Sequence, residues 1–286
     1  MRDARPCPET LRIRSRLSSL TCALFVGATT LALSACSGEE SAAGSRFEPV
    51  RPGVLTVATA FLPAPGFWEG RTPSAGGFEA GLAGALAKHL GLERVEVVQV
   101  PFASLVAGKL GGADLALSQL TPTSEREKSV DFSTPYLTAP PGVLALRNVD
   151  ARDVHGLQEL RWVTSRVSTL TPIVLERIRP HRDPAMVEDR TQALAVLRSG
   201  RAQALMLDLP VALALASADT ARFHVLGQLD GDEGLAAALP DGSHNREVVD
   251  SAIHALTADG TIDGLVERWL GESSDDVPLI LTEQLG

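Results

Sequence analysis

The sequence has 286 residues, and its 35 acidic side chains against 26 basic ones give a formal charge of −9. This length allows one or two domains, and an apolar content of 44% is enough for a hydrophobic core, which excludes a globally disordered protein. The acidic balance argues against a nucleic-acid partner, because such binding depends on clustered Lys and Arg side chains.

The first 36 residues have the pattern of a targeting segment. A basic region with Arg12, Arg14 and Arg16 precedes an apolar run over 17–33, which is too short and too polar for a stable membrane span. The run ends in Leu-Ser-Ala-Cys, with the cysteine at position 36. This ending resembles the lipobox of bacterial lipoproteins.

We therefore expect a lipoprotein signal peptide over 1–35, lipidation of Cys36 and a flexible tether over 36–49, which is rich in Ser, Gly, Ala and Glu. An ordinary cleaved signal or an uncleaved anchor would also fit the pattern. The other two cysteines, Cys7 and Cys22, lie in the same segment, so the body of the chain has no disulfide framework and no cysteine-ligated metal.

From Gly53 onward, short β-rich runs alternate with amphipathic helical runs. This β-α-β-α-β order predicts a parallel sheet with helices on both faces. The predicted elements are a strand over 54–60, a helix over 77–91, a strand over 95–100, a short helix over 102–110 and a strand over 113–120.

The same order returns in the second half of the chain. The predicted elements are a strand over 161–167, helices over 170–178 and 191–199, a strand over 202–208 and a helix over 210–217. Gly111 precedes Gln119 by eight residues, and Gly200 precedes Asp208 by eight residues. We therefore predict two similar α/β lobes, with a ligand site beyond the carboxyl ends of their strands.

Arg126 follows the third predicted strand and is the first candidate ligand-binding residue. Its guanidinium can bind a carboxylate bidentately, and the hydroxyl of Thr121 lies on the same stretch. The alternative is an exposed Arg126 paired with a neighbouring glutamate, since Glu125 and Glu127 flank it.

Asp208 ends a strand of apolar residues and precedes Leu209-Pro210. An aspartate at this place can cap the following helix, and it can also face the cleft and bind an ammonium group. These two roles are compatible, and the pattern alone does not choose between them.

Further candidates lie at strand ends and in the first loop. Hydroxyl or amide side chains at the strand ends can bind a ligand or cap a helix, and loop aromatics can wall a pocket or pack in the core. The candidates are Ser118, Gln119, Ser168, Thr169, Phe61, Phe67 and Trp68, whereas Phe102 and Trp269 are predicted as core. The sequence contains no zinc-protease, nucleophile-elbow or phosphate-loop motif, so we predict no catalytic residues, no metal and no cofactor.

Between Gly53 and Gly271 the chain resembles the family 3 extracellular solute-binding proteins, the polar amino-acid receptors of ABC importers. The most specific stretches are LTPTSEREKSVDFSTPY and ADGTIDGLVERWLG. The resemblance implies an α/β, two-lobe, type II periplasmic-binding fold with mostly parallel sheets. It places lobe 1 at 50–139 with 239–274, lobe 2 at 140–238, hinge crossings near 138–142 and 234–239, and a tail at 275–286.

The resemblance also assigns roles to the candidate residues. Arg126 and Thr121 would bind the ligand's α-carboxylate with help from Ser168 and Thr169, and Asp208 would bind the α-ammonium. The sequence departs from the family at Val167, where a glycine is usual, and at Gln119, a position that is often small.

The expected function is capture of an amino acid for an ABC permease at the outer side of the membrane. A cyclohexadienyl dehydratase-like enzyme on the same fold and a sensor without transport remain alternatives. Neutral polar, acidic or small apolar ligands are favoured, and Arg166 beside the predicted site favours an acidic one.

Overall fold

The computed structural model describes residues 46–271 and 276–281, all within the compact unit Ala43–Gly286. The predictions for the signal peptide, for Cys36 and for most of the tether lie outside the described residues. Within the described ranges, no helix has both the length and the apolar character needed to cross a bilayer.

The described chain forms eleven strands and eight α-helices, and both predicted α/β runs are present. The strands are β1 Val54–Thr59, β2 Arg94–Gln99, β3 Leu115–Leu120, β4 Val130–Phe132, β5 Leu137–Thr138, β6 Pro141–Leu146, β7 Trp162–Ser165, β8 Ala185–Val187, β9 Ala204–Asp208, β10 Phe223–Gln228 and β11 Gly234–Pro240. The helices are α1 Phe78–His89, α2 Phe102–Leu105, α3 Val154–Gln158, α4 Thr171–Ile173, α5 Arg190–Arg198, α6 Leu209–Ala218, α7 Arg246–Ala258 and α8 Thr261–Trp269.

Two predicted helices are shorter than expected. The predicted helix over 102–110 stops at Leu105, and a turn leads to Gly108, whose φ of 77° does not fit an α-helix. The predicted helix over 170–178 has an α-helical part of only three residues and continues as a π-helical turn over Val174–Ile178.

The strands form two separate sheets, in the order β2-β1-β3-β11-β4 and in the order β10-β6-β9-β7-β8. In the first sheet β1 pairs in parallel with β2 and β3, whereas β11 is antiparallel to β3, β4 and β5. In the second sheet β7 pairs in parallel with β8 and β9, whereas β6 is antiparallel to β9 and β10. The two-lobe α/β architecture agrees with the prediction, but both sheets are mixed rather than mostly parallel.

The chain crosses between the sheets twice. The first crossing lies between Thr138 at the end of β5 and Pro141 at the start of β6. The second lies between Gln228 and Gly234, because β11 belongs to the first sheet. The second crossing therefore lies before the predicted range of 234–239. Residues 234–238 pair with lobe-1 strands and do not belong to lobe 2.

Helices cover both faces of each sheet, which explains why β1 and β3 are buried along their whole length. One apolar cluster continues from the first sheet to the second through residues such as Leu117, Leu235 and Leu207. Two further clusters cover the remaining face of each sheet.

The described part of the tail, 276–281, lies against the second sheet. The Gln228 amide donates to the Pro278 carbonyl at 2.8 Å, and the Ile280 amide donates to the Gln228 carbonyl at 2.8 Å. The Ile280 side chain is buried in the lobe-2 cluster. The tail therefore extends the edge of β10.

Candidate functional site

A cavity lies where the two sheets face each other, and residues of both lobes line it. Its atom-free volume is about 630 Å³, part of which is open to solvent. Lobe 1 contributes Phe61, Phe102, Gln119, Thr121 and Arg126, and lobe 2 contributes Thr164, Ser165, Val167, Ser168, Thr169, Leu170, Thr171, Val174, Arg190, Ala193, Leu205, Met206, Leu207 and Asp208.

Arg126 is buried at the lobe-1 side of this cavity, on a 3-10 turn that follows β3. Its guanidinium donates to the Thr121 carbonyl at 2.7 Å and, across the lobes, to the Val167 carbonyl at 2.9 Å. It also lies over the Phe102 ring, 5.4 Å from the ring centroid. These contacts hold the guanidinium in place within the cavity.

The alternative of an exposed Arg126 paired with a neighbouring glutamate does not hold, because Arg126 is buried and Glu125 forms its ion pair with Lys128. Burial lowers the pKa of Arg126, although Asp208 acts in the opposite direction. No carboxylate of the described chain lies within salt-bridge distance of its guanidinium.

Asp208 is the last residue of β9 and occupies the N-cap position of α6, but its side chain makes no cap hydrogen bond. A capping carboxylate accepts from the second or third helical amide, and the second helical residue here is Pro210, which has no N–H. The capping role is therefore not observed.

One oxygen of the Asp208 carboxylate is left without a hydrogen-bond partner among the described residues. Its Oδ1 atom is buried and has no hydrogen-bond partner in the part of the chain that the structure describes. Desolvation raises the pKa of Asp208 to about 6, against the attraction of Arg190 and Arg126, while Glu233 raises the pKa further. A buried acceptor without a donor is costly, which makes this atom the expected contact for a ligand donor.

Ser168 and Thr169 line the cavity from the loop between β7 and α4, as predicted. The Ser168 hydroxyl accepts from the Leu170 amide at 3.2 Å, so it also stabilises the local turn. Val167, at the position where the family has glycine, keeps a negative φ and offers its carbonyl to Arg126.

The aromatic predictions are partly wrong. Phe61 lines this cavity, but Phe67 and Trp68 do not line it and are buried in the lobe-1 core. Phe102, predicted as core, lines the cavity and stacks on Phe61 with the ring centroids 5.6 Å apart. Aromatic side chains of the loop after β1 thus point either into the cavity or into the core, and the composition of the loop does not predict which.

Ser118 is also misplaced by the sequence prediction. It is fully buried, it does not line the cavity, and its hydroxyl accepts from the Ala60 amide at 2.9 Å. The cause is strand alternation, because side chains next to each other on β3 point to opposite faces. The adjacent Gln119 therefore lines the cavity.

Gln119 is held in an unusual backbone conformation by a buried glutamate. Its φ is 49°, which is uncommon for a residue other than glycine. The Glu79 carboxylate accepts from the Gln119 amide at 2.7 Å and from its side-chain amide, and also from Trp68 Nε1 at 2.8 Å and the Tyr136 hydroxyl at 2.6 Å. Burial raises the pKa of Glu79, and these four donors oppose the rise.

Sequence reasoning missed Arg190, the first residue of α5. Its guanidinium donates to Gln119 Oε1 at 2.7 Å and lies 3.7 Å from the Phe61 centroid, so a lobe-2 cation contacts two lobe-1 side chains. Burial lowers its pKa to about 10. The sequence gives no signal for this placement, because Arg190 resembles an ordinary exposed helix residue until β8 is paired with β7.

Arg166, which the sequence places beside the site, does not line the cavity. It is exposed and forms an ion pair with Glu188 at 3.1 Å. No group of three or more metal-binding side chains occurs within the described ranges.

Two mixed sheets joined by two crossings, with a charged cavity at their junction, define a two-lobe solute-binding protein of the type II periplasmic fold. The sequence pattern of "Bacterial extracellular solute-binding proteins, family 3" matches residues 56–272. The chain belongs to this family.

Known relatives and solved structures agree with this assignment. The chain is 29% identical to the L-cystine-binding protein TcyJ of Escherichia coli (strain K12), over 77% of this chain and 83% of that protein. The structure of an ancestral arginine-binding protein bound to glutamine matches with a TM-score of 0.65 and 28% identity, over 78% of this chain and 100% of that one. An ancestral amino acid-binding protein, a precursor of cyclohexadienyl dehydratase, matches with a TM-score of 0.62 and 28% identity, over 76% and 96% of the two chains.

Proposed function

We propose that this protein is the extracytoplasmic solute-binding component of an ABC importer and that it captures an amino acid or a similar small zwitterion between its lobes. The observation that carries the proposal is that Arg126 and Asp208 lie on opposite lobes and line the same cavity. The amino-acid-binding relatives support the same ligand class.

The two charges match the two ends of an amino acid. In this proposal Arg126 binds the α-carboxylate, and the Thr121, Ser168 and Thr169 hydroxyls add hydrogen bonds. The ligand's ammonium donates to Asp208, whose Oδ1 has no donor within the described residues. Each buried charge then gains a partner, which offsets the cost of removing it from water.

Closure of the lobes completes the binding site. Contacts between the lobes already run from Arg126 to the Val167 carbonyl and from Arg190 to Gln119. Because a ligand that contacts both lobes can satisfy its two charges only in the closed state, it shifts the population toward that state. The permease subunits of the importer would then recognise the closed form.

The location follows from the family and from the N-terminal pattern. The family is described as extracellular. We propose in addition that a signal peptide over 1–35 is removed, that Cys36 carries a lipid anchor and that the following residues tether the lobes to the membrane surface.

The function is tested by thermal-shift screening of the wild-type protein against the standard amino acids, with Arg126→Ala and Lys128→Ala tested in parallel. A ligand at 100 times its Kd stabilises the folded state by about 2.7 kcal/mol. Arg126→Ala should lose this shift, whereas Lys128→Ala, an exposed residue of the same turn, should keep it. Equal stabilisation of wild type and Arg126→Ala by an amino acid would contradict the carboxylate assignment.

A cyclohexadienyl dehydratase-like enzyme is the second candidate, favoured by the resemblance to the ancestral precursor of that enzyme. Asp208 is the one carboxylate among the described residues that line the cavity, and general acid–base chemistry would need a second group. We therefore favour binding without turnover. Incubation with prephenate or arogenate, followed by product analysis, separates the two, because product formation would identify an enzyme.

A further inference from the structure

Arg190 places a second cation in the ligand cavity, and the proposed binding of an amino-acid backbone does not use it. It lies at the start of α5 in lobe 2 and lines the cavity together with Arg126 and Asp208. Arg190, Phe61 and Gln119 also line a neighbouring cavity, so these three residues form the wall between the two spaces.

The guanidinium of Arg190 is held in position from two sides. It lies 3.7 Å from the centroid of the Phe61 ring and donates to Gln119 Oε1 at 2.7 Å. Gln119 is itself fixed by Glu79 through its backbone and side-chain amides. Among the described residues, the hydrogen bond to Gln119 is the one that the Arg190 guanidinium makes. A guanidinium has five N–H donors, so donors remain for a ligand.

The charges that line the cavity do not balance. Within the described part of the chain they are two guanidinium groups, Arg126 and Arg190, and one carboxylate, Asp208. Glu79 lies behind the cavity wall, where neutral donors of the protein occupy both of its oxygens and its charge attracts Arg190. A neutral zwitterion would leave one of the two guanidinium groups without a carboxylate inside the cavity.

Ligands of different charge therefore differ in how well they fit. A ligand with a cationic side chain would add a third positive charge to a partly desolvated site, which is unfavourable. A ligand with an anionic side chain would give the second guanidinium a carboxylate partner inside the cavity. A carboxylate also matches the planar donor pattern of a guanidinium.

We propose that Arg190 forms a subsite for the side-chain carboxylate of the ligand, which makes this protein a receptor for an acidic amino acid. This inference rests on the proposed function, in which Arg126 and Asp208 bind the α-carboxylate and the α-ammonium. Arg190 then determines specificity, and Gln119 and Phe61 position it. The predicted preference differs from the ligands in the names of the L-cystine-binding protein and the ancestral arginine-binding protein.

The test is isothermal titration calorimetry with L-glutamate and L-glutamine, which have nearly the same shape and differ in charge. Wild-type protein should bind glutamate at least about tenfold more tightly than glutamine, because a hydrogen bond between charged groups strengthens binding by about this factor. Arg190→Met should bring the two affinities to within about threefold of each other, since the charged partner is gone. The control, Arg166→Met, changes an exposed arginine outside the cavity and should keep the wild-type ratio.

The inference is overturned if wild-type protein binds glutamine or arginine as tightly as glutamate, or if Arg190→Met keeps the wild-type ratio. Should Arg190→Met fail to fold, the wild-type ratios for glutamate over glutamine and aspartate over asparagine decide by themselves. Binding of amino acids that depends on Arg126 but shows no acidic preference rejects this inference alone. An absence of any amino-acid binding rejects the proposed function as well.

Discussion

Strands β3 and β9 end at matching positions of the two lobes, but their last polar side chains differ in whether their hydrogen-bonding groups have partners. Gln119 lies eight residues after Gly111, and Asp208 lies eight residues after Gly200. Gln119 has hydrogen bonds to Glu79 and Arg190, whereas Asp208 Oδ1 has none within the described chain.

The two strand ends therefore have different roles. The lobe-1 strand end is a satisfied network that fixes geometry, including a positive φ at Gln119 that costs about 1–3 kcal/mol. The lobe-2 strand end keeps a carboxylate oxygen to which a ligand can donate a hydrogen bond. A binding site of this kind combines a rigid frame with a group that is destabilising until the ligand arrives.

The largest expected effect comes from Asp208→Asn. Loss of the charge that pairs with the ligand's ammonium should weaken binding by about 30-fold or more, since breaking a buried charge pair costs about 2–5 kcal/mol. The ligand-free protein should at the same time become more stable, because an unpaired buried charge is removed. Calorimetry and thermal unfolding measure the two effects.

Asp219→Asn is the matched control for this prediction, because Asp219 lies at the other end of α6 and pairs with Arg222. It should leave the ligand affinity unchanged. If Asp208→Asn lowered both affinity and ligand-free stability, the carboxylate would have a structural partner and the contrast between the two strand ends would fail.

Glu79→Gln should have the next largest effect, and this effect is on the stability of the folded protein. A glutamine amide presents an NH₂ group where the carboxylate accepts from four donors, so at least one buried donor loses its acceptor. The free energy of unfolding should fall by about 1–3 kcal/mol. Urea denaturation measures this, and Glu267→Gln, which changes an exposed side chain of α8, should have no effect of that size. An unchanged stability would show that the network does not fix Gln119.

The pH dependence of binding should be smaller, about tenfold. The pKa of Asp208 is raised to about 6 in the folded protein, chiefly by desolvation, while Arg190 and Arg126 favour the ionised form and Glu233 opposes it. Because the ligand's ammonium needs the ionised carboxylate, affinity should fall about tenfold from pH 7 to pH 5.

The stability of the ligand-free protein should change with pH in the opposite direction and rise as the pH falls. A raised folded-state pKa contributes stability that is fully present below the ordinary pKa of 3.8 and is lost as pH rises through about 6. Calorimetry and denaturation at both pH values measure the two trends. Asp208→Asn should remove both of them, and a wild-type affinity that does not change between pH 7 and pH 5 would contradict the assignment.

Phe61→Leu should have the smallest effect. The ring supports the Arg190 guanidinium, and an interaction of this kind contributes about 0.5–1 kcal/mol at a partly exposed site. Glutamate affinity should fall about threefold, with little change for glutamine. A loss as large as that of Asp208→Asn, measured by the same calorimetry, would mean that Phe61 contacts the ligand directly and does not only position Arg190.

Most of the fold followed from local patterns. Strand β1, helix α1 and strand β3 lie within about two residues of their predicted bounds, because buried β-rich runs and leucines at helical spacing specify them. The second crossing was misplaced because β11 completes the lobe-1 sheet, and strand pairing between distant segments leaves no local pattern in the sequence.

The candidate site was predictable where charge and strand position agreed. Arg126, Thr121, Gln119, Ser168, Thr169 and Asp208 all line the cavity. Ser118, Phe67 and Trp68 do not line it, because the side on which a strand or loop residue points depends on its packing partners.

By itself, the sequence determined the two α/β lobes, the acidic surface and the residues at the strand ends, since these depend on composition and short-range periodicity. The tertiary structure alone decided that Asp208 Oδ1 has no hydrogen-bond partner in the described part of the chain and that Arg190 contacts Gln119 and Phe61 across the lobes. Hydrogen-bond satisfaction and burial arise between segments far apart in the chain, and the charge balance of a cavity exists only when those segments meet.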